Sequence, residues 1–260
     1  MTVINFEKEA QKRREKNQLE LKYALLHLDE NRDLEEKIIN YANRYWLPLN
    51  YVVAKLRQSD DDMIFNGFEK DPWRQNIYEI LQLEFVENIW KGTHLIKWVE
   101  KLKSSWKEAK YMKNWKIVNL TKTERWELKS LDFYRYYDFQ WEKIEFYTTC
   151  KYTKDEWWAQ DNQANDVYNS FMEAINLDEN NTYFIALVDW EYYHRQKRNW
   201  KDFYDYLNGF FNCWHCYCTD CDNLLETIKN IICNWLKTSK YNESDVNNEI
   251  LRIENLEFIW

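Results

Sequence analysis

Ile144-Glu145-Phe146-Tyr147-Thr148-Thr149-Cys150-Lys151-Tyr152 decides the fold class. Ile144, Phe146, Thr148, Cys150 and Tyr152 alternate with Glu145, Tyr147, Thr149 and Lys151. That period of two is the signature of a half-buried strand. Downstream, Tyr183 to Trp190 (YFIALVDW) is a short, almost wholly apolar run bounded by acidic and polar residues. Its length suits a buried strand better than a helix. Residues 116–121 and 126–141 are rich in Trp, Tyr, Phe and Leu and read as partner strands. A helix at 164–176, with Val167, Phe171 and Ala174 on one side, separates the two clearest strands.

On both sides of this region the period becomes helical. The first 112 residues read as helix: Leu21, Ala24, Leu25 and Leu28 recur at helical spacing, then Leu34, Ile38, Ala42 and Tyr45. Asp33 and Glu36 resemble a capping box, and Pro48 punctuates the second helix. Asp71-Pro72 reads as a helix start. Ile77, Leu81, Phe85 and Ile89 form that helix's stripe, and Gly92 its stop. A further helix from Thr93 is expected to bury Leu95, Val99, Leu102, Trp106 and Ala109. At the other end, Leu224, Leu225, Ile228, Ile231, Ile232 and Trp235 give the cleanest amphipathic pattern, and Ser244 is the expected cap of a last helix. The expected fold is a predominantly helical α+β protein, helical N- and C-terminal parts flanking a small antiparallel central sheet. No repeat and no Pro/Gly/Ser-rich linker interrupts it, so residues 1–260 are expected to form a single domain.

Composition removes whole classes of function. A chain of 260 residues would ordinarily carry about 18 Gly and about 13 Pro; this one has 3 and 2. Gly67, Gly92 and Gly209 each stand alone, so neither a dinucleotide fingerprint nor a phosphate-cradling loop can be written. No apolar run is long enough to span a bilayer, and the N-terminal residues lack the apolar stretch of a secretory signal. A cytoplasmic location is therefore expected, in the protein's own cell or an infected host, with its 6 Cys reduced.

Candidate sites are few. Cys213, Cys216, Cys218 and Cys221 lie in CWHCYCTDC with His215 among them. Thiolates suit zinc, but ordinary zinc sites draw their ligand pairs from knuckles more than about 10 residues apart. On a helix the first and second pair would be turned apart by roughly 140°. Packed, inert thiols at a helix junction capped by Thr219 are the expectation, with no metal and no cofactor; a zinc-dependent protein is the weaker alternative. Asp60, Asp61 and Asp62 are adjacent and diverge, Glu127-x-Lys129 is half of a nuclease motif without its upstream Asp, and His27, His94, His194 and His215 are dispersed. No nucleophile is expected.

Charge is distributed unevenly. Residues 91–129 hold eleven Lys/Arg against four Glu, a net of +7, which leaves −15 for the rest of a chain at −8. Trp98, Trp106, Trp115 and Trp126 are interleaved. Lys97, Lys101, Lys103, Lys107, Lys110 and Lys113 are the candidate nucleic-acid or anion patch; the blander reading makes them the solvated face of a helix. The 15 Trp, 19 Tyr and 13 Phe exceed what a core absorbs. Exposed rings are expected in WKDFYDYL, DFYRYYDFQW and DEWWAQ, as on protein-binding surfaces. The leading expectation is a non-enzymatic intracellular protein-binding factor: an inhibitor, immunity or phage/mobile-element protein acting on a host enzyme, in contact with a protein partner or a second copy of itself. The alternative is a nucleic-acid-binding protein or nuclease that uses residues 91–129.

Overall fold

The computed structural model describes residues 6–58, 63–68, 77–93, 95–96, 98–102, 108–120, 130–151, 158–174, 181–188, 193, 197–198, 201–210 and 215–256. Backbone contacts divide the chain into two compact units, Ile4–Leu81 and a larger one containing Gln82–Trp260.

The smaller unit is helical. Its elements are α1 (Phe6–Leu26), a 3-10 turn (Leu28–Glu30), α2 (Arg32–Arg44), α3 (Leu49–Gln58) and α4 (Met63–Phe68). The expected stripes close its core: Leu21, Leu25, Leu34, Ile38 and Ala42 pack with Val52, Leu56, Phe65 and Phe68. Two details differ. Asn31, rather than Asp33, caps α2, its side chain accepting from Leu34 N at 3.1 Å. Tyr45, expected on the buried face, is half exposed because α2 ends at Arg44 and its periodicity lapses there.

The division between units falls inside α5 (Ile77–Thr93), which continues through Gly92 rather than stopping at it. Asp71-Pro72, the expected start signal, lies outside the described residues. Beyond α5 the expected helix from Thr93 is absent among the described residues. In its place stand β1 (Trp98–Lys101), β2 (Tyr111–Lys113) and β3 (Lys116–Val118). Pairing with β4 (Phe133–Phe139) overrides the helical spacing: Trp98 lies opposite Tyr136 and Lys101 opposite Phe133. Ring-rich and β-branched residues favour such a pleated position.

The central sheet has five strands in the order β1-β4-β5-β6-β9 and is mixed, which corrects the small antiparallel sheet expected. β4 and β5 (Glu142–Lys151) are antiparallel because only Gln140 and Trp141 join them. β5 and β6 (Thr182–Val188) are parallel because α6 (Trp158–Ala174) carries the chain back between them. After the short β7 (Lys197–Arg198) and β8 (Lys201–Asp202), α7 (Phe203–Phe210) leads in the same way to β9 (Cys216–Thr219), parallel to β6. α8 (Leu224–Thr238) and α9 (Glu243–Glu254) follow.

Helices cover both sheet faces. On one, Val167 and Phe171 of α6 and Phe203, Tyr206 and Leu207 of α7 pack on Phe184, Ala186, Cys216 and Cys218. On the other, Trp235 of α8 meets Tyr137 edge-on at 6.5 Å, and Glu249 of α9 accepts from Tyr137 Oη at 2.5 Å. Every residue of β6 is buried, as the apolar run demands. The α8 stripe matches its expected pattern, whereas α9 is capped by Asn242, which accepts from Ser244 N at 2.8 Å. Among the described residues no helix is long and apolar enough to cross a membrane.

Candidate functional site

The least ordinary local structure sits at three turns. Trp46 (φ 57°), Trp115 (φ 66°) and Trp141 (φ 76°) all lie in the left-handed region, with Asn114 (φ 48°) and Gln140 (φ 46°) preceding the latter two. Paired positive φ values in a two-residue hairpin loop make a type I′ turn, whose second position normally belongs to glycine. A bulky residue there is a genuine outlier. Yet the indoles are not spent on burial: Trp46 is 93% exposed, Trp141 98% and Trp115 47%.

The two hairpin tips of the larger unit are held rigidly. Tyr241, just before α9, donates from Oη to the Phe139 carbonyl at 3.3 Å and stacks edge-on against the Phe139 ring. Gln140 Nε2 donates to Asp245 at 3.1 Å. Burial, together with the hydrogen bond and charge of Glu142, pushes the Tyr241 phenol up to about 12. Trp141 thus projects from a tip clamped on both flanks. The β2–β3 tip is held by α6: Asn114 N donates to the Glu173 carboxylate at 2.6 Å and Trp115 N to the Glu173 carbonyl at 3.0 Å. The charge setting differs. Asp138 lies opposite Lys143 at the first tip, whereas Lys113 lies opposite Lys116 at the second.

Cys216 and Cys218 occupy a strand, which corrects the helical geometry assumed for them. Cys216 and Cys218, two apart on β9, share a face and point into the core against α6 and α7. Cys216 Sγ donates to the Ala174 carbonyl at 3.2 Å. Burial, then the nearby Asp220 charge, pushes the Cys218 thiol well up. Thr219 caps no helix; it ends β9, its hydroxyl 3.0 Å from that of Thr227, and Asn223 precedes α8. Cys221 is half-buried, His215 Nδ1 lies 2.9 Å from the Thr182 carbonyl, and Cys213 is outside the described residues. Among the described residues no three His, Cys, Asp or Glu gather as a metal site.

A second buried polar group lies under the sheet. Arg135 of β4 is wholly buried, and burial pulls its guanidinium down to about 10. Cys150 is pushed well up by burial and then by the Asp132 charge. Asp132 accepts from Cys150 N at 2.7 Å and from the Thr149 hydroxyl at 3.3 Å, which fixes the start of β4 against β5. These groups carry no activated nucleophile: a thiol held up by burial is a poor thiolate.

The candidate anion patch is only partly described. Lys101 lies on β1, Lys110 precedes β2 and Lys113 ends it; Lys97, Lys103 and Lys107 fall outside the described residues, as do Asp60–Asp62 and Glu127-x-Lys129. Of the ring-rich segments, DFYRYYDFQW does expose Trp141, while Phe203 and Tyr206 of WKDFYDYL are buried. The described part of DEWWAQ begins at Trp158, in α6. Trp46 and the turn role of Trp115 escape a reading based on periodicity. The available signal was two adjacent residues, Asn-Trp or Gln-Trp, between strand-like runs. No family model, no curated protein and no solved structure matches the chain.

Proposed function

We propose that this protein is a non-enzymatic protein-binding factor whose partner is gripped by tryptophans displayed on rigid turns, Trp141 foremost. The observation that carries this reading is a 98% exposed indole at φ 76° on a tip clamped by Tyr241 and Asp245. Backbone strain of this kind persists where the surroundings impose it, and it concentrates at contact sites. Tryptophan is the side chain most enriched among interface hot spots, and a preorganised anchor loses little entropy on binding. In the smaller unit, Trp46 stands among half-exposed Tyr45, Leu49 and Tyr51 and offers a second contact surface.

The reading includes the finer role of an intracellular inhibitor, immunity or phage/mobile-element protein. The acidic remainder of the chain, −15 outside residues 91–129, suits the basic groove of a nucleic-acid enzyme. It calls for no catalytic group and no cofactor. Affinity capture from the native host, with sizing chromatography alongside, tests it. A defined partner or dimer retained by the wild type and released by Trp141→Gly supports the reading. A strictly monomeric chain that retains the same proteins as its Trp141→Gly variant overturns it.

A further inference from the structure

α1 carries two apolar stripes where a surface helix ordinarily has one. Leu21 and Leu25 are sealed in the core of the smaller unit. Leu19, Tyr23 and Leu26 lie on the other side of the helix, turned from them by roughly 150° at ~100° per residue. They are 67%, 68% and 78% exposed. Apolar side chains exposed singly need no explanation, but three in one row, at i, i+4 and i+7, make a seam of the kind that pairs helices. The Tyr23 ring lies against His27, centroids 4.8 Å apart.

Charge extends the row at both ends. Lys16 precedes Leu19 by three residues, and Glu30 follows Leu26 by four, in the 3-10 turn after α1. Both are exposed. Lys16 reaches Glu20 of its own helix at 3.9 Å, a surface pair of little worth. Residues 12–16 carry a net charge of +3 and residues 26–30 a net charge of −2. The row Lys16, Leu19, Tyr23, Leu26, Glu30 is its own complement when reversed. Turned end to end about Tyr23, lysine meets glutamate, leucine meets leucine and tyrosine meets tyrosine.

We infer that this face of α1 is an interface with a second copy of the chain, two α1 helices pairing antiparallel about a two-fold axis at Tyr23. A two-fold axis makes every contact occur twice. Lys16 of each copy faces Glu30 of the other, and Leu19 faces Leu26. A parallel pair is disfavoured, because it sets Lys16 against Lys16 and Glu30 against Glu30. The reversal symmetry of the row favours a second copy over an unrelated protein, which has no need of it. The face is distinct from the Trp141 tip, so it stands or falls independently of the reading given to that tip.

Sedimentation velocity of the full chain across the micromolar range tests it. The wild type is expected to sediment as a dimer. Leu19→Gln with Leu26→Gln should weaken the dimer by about tenfold or more, while Trp141→Gly leaves it intact. Lys16→Glu and Glu30→Lys should each weaken it by about tenfold, since each sets like charges face to face twice. Combining the two charge reversals in one chain, or mixing the two single variants, should restore it; circular dichroism verifies that each variant is folded. A chain that is monomeric at every concentration overturns the inference. So does a dimer that survives loss of both leucines, or one that neither the combined variant nor the mixture restores. A dimer released by Trp141→Gly belongs to that tip and equally overturns the assignment to α1.

Discussion

At φ 76° a tryptophan is held where its Cβ crowds the following carbonyl, a cost of about 1–2 kcal/mol that glycine does not incur. Trp141 recovers almost none of this through burial, being 98% exposed. Trp141→Gly is therefore expected to stabilise the fold by about 1 kcal/mol in denaturant titration while releasing the partner. A variant that is destabilised, or one that binds unchanged, would break the link between strain and function. At Trp115 the gain should be smaller, because half of that indole is buried. Glu249 illustrates a different residue-scale effect. Burial pushes its carboxyl up, but hydrogen bonds from Arg252 (2.6 and 2.9 Å) and from Tyr137, with the Arg252 charge, outweigh this and hold it below the ordinary 4.5. A carboxyl depressed in the folded state contributes stability that is full above its unfolded pKa and lost as pH falls through the folded one. Glu249→Gln should thus cost about 1–2 kcal/mol near neutral pH, and the gap should narrow below about pH 4. Unfolding curves across that range decide it; an equal loss at every pH would mean that the carboxylate's charge plays no part.

Sheet edges raise an element-scale question, because β9 ends the sheet and an open edge invites another strand. Here a side chain from α7 takes the missing strand's place. Asn208 Oδ1 accepts from Cys218 N and its Nδ2 donates to the Cys218 carbonyl, both at 3.0 Å. Asn208→Ala should lower stability by about 1–3 kcal/mol and make elution in sizing chromatography depend on concentration. If the variant elutes and unfolds like the wild type, Asn208 is not an edge guard. Such a guard is invisible to sequence reading, since it depends on a helix and a strand brought together in space. The α2 and α8 stripes, the β5 alternation and the β6 run were all legible because each is a local periodicity that burial enforces. The depth of β6 was legible too: six successive apolar residues, Tyr183–Val188, are what a strand covered by helices on both faces requires. The segment after Thr93 misled because Leu95, Val99 and Leu102 fit a helical period by spacing alone. Long-range pairing of Trp98 with Tyr136 decides the outcome there, and no local window contains it. The cysteine nonapeptide misled in the same way. Cys216 and Cys218 are a strand's inward pair, and only the neighbouring Phe184 and Ala186 of β6 reveal that.

At the scale of the whole molecule, charge and rings do different jobs. The net charge of −8 combines +7 in residues 91–129 with −15 elsewhere, so the basic partner of the proposed role would be attracted from a distance by the acidic remainder. That attraction acts before contact and is screened beyond about 8–10 Å at physiological salt. In the proposed binding role the tryptophans would act only after contact, where desolvation and packing set how long a complex lasts. The two contributions should therefore separate kinetically. With a partner recovered by capture, raising the salt concentration should slow association by about tenfold or more and leave dissociation nearly constant, as steering requires. Trp141→Gly should do the reverse, speeding dissociation and sparing the association rate, because it removes no charge. Surface plasmon resonance across a salt series reads both rates at once. An association rate that is indifferent to salt would show that the acidic surface does not face the partner. A Trp141→Gly variant altered only in association would show that the indole is no anchor.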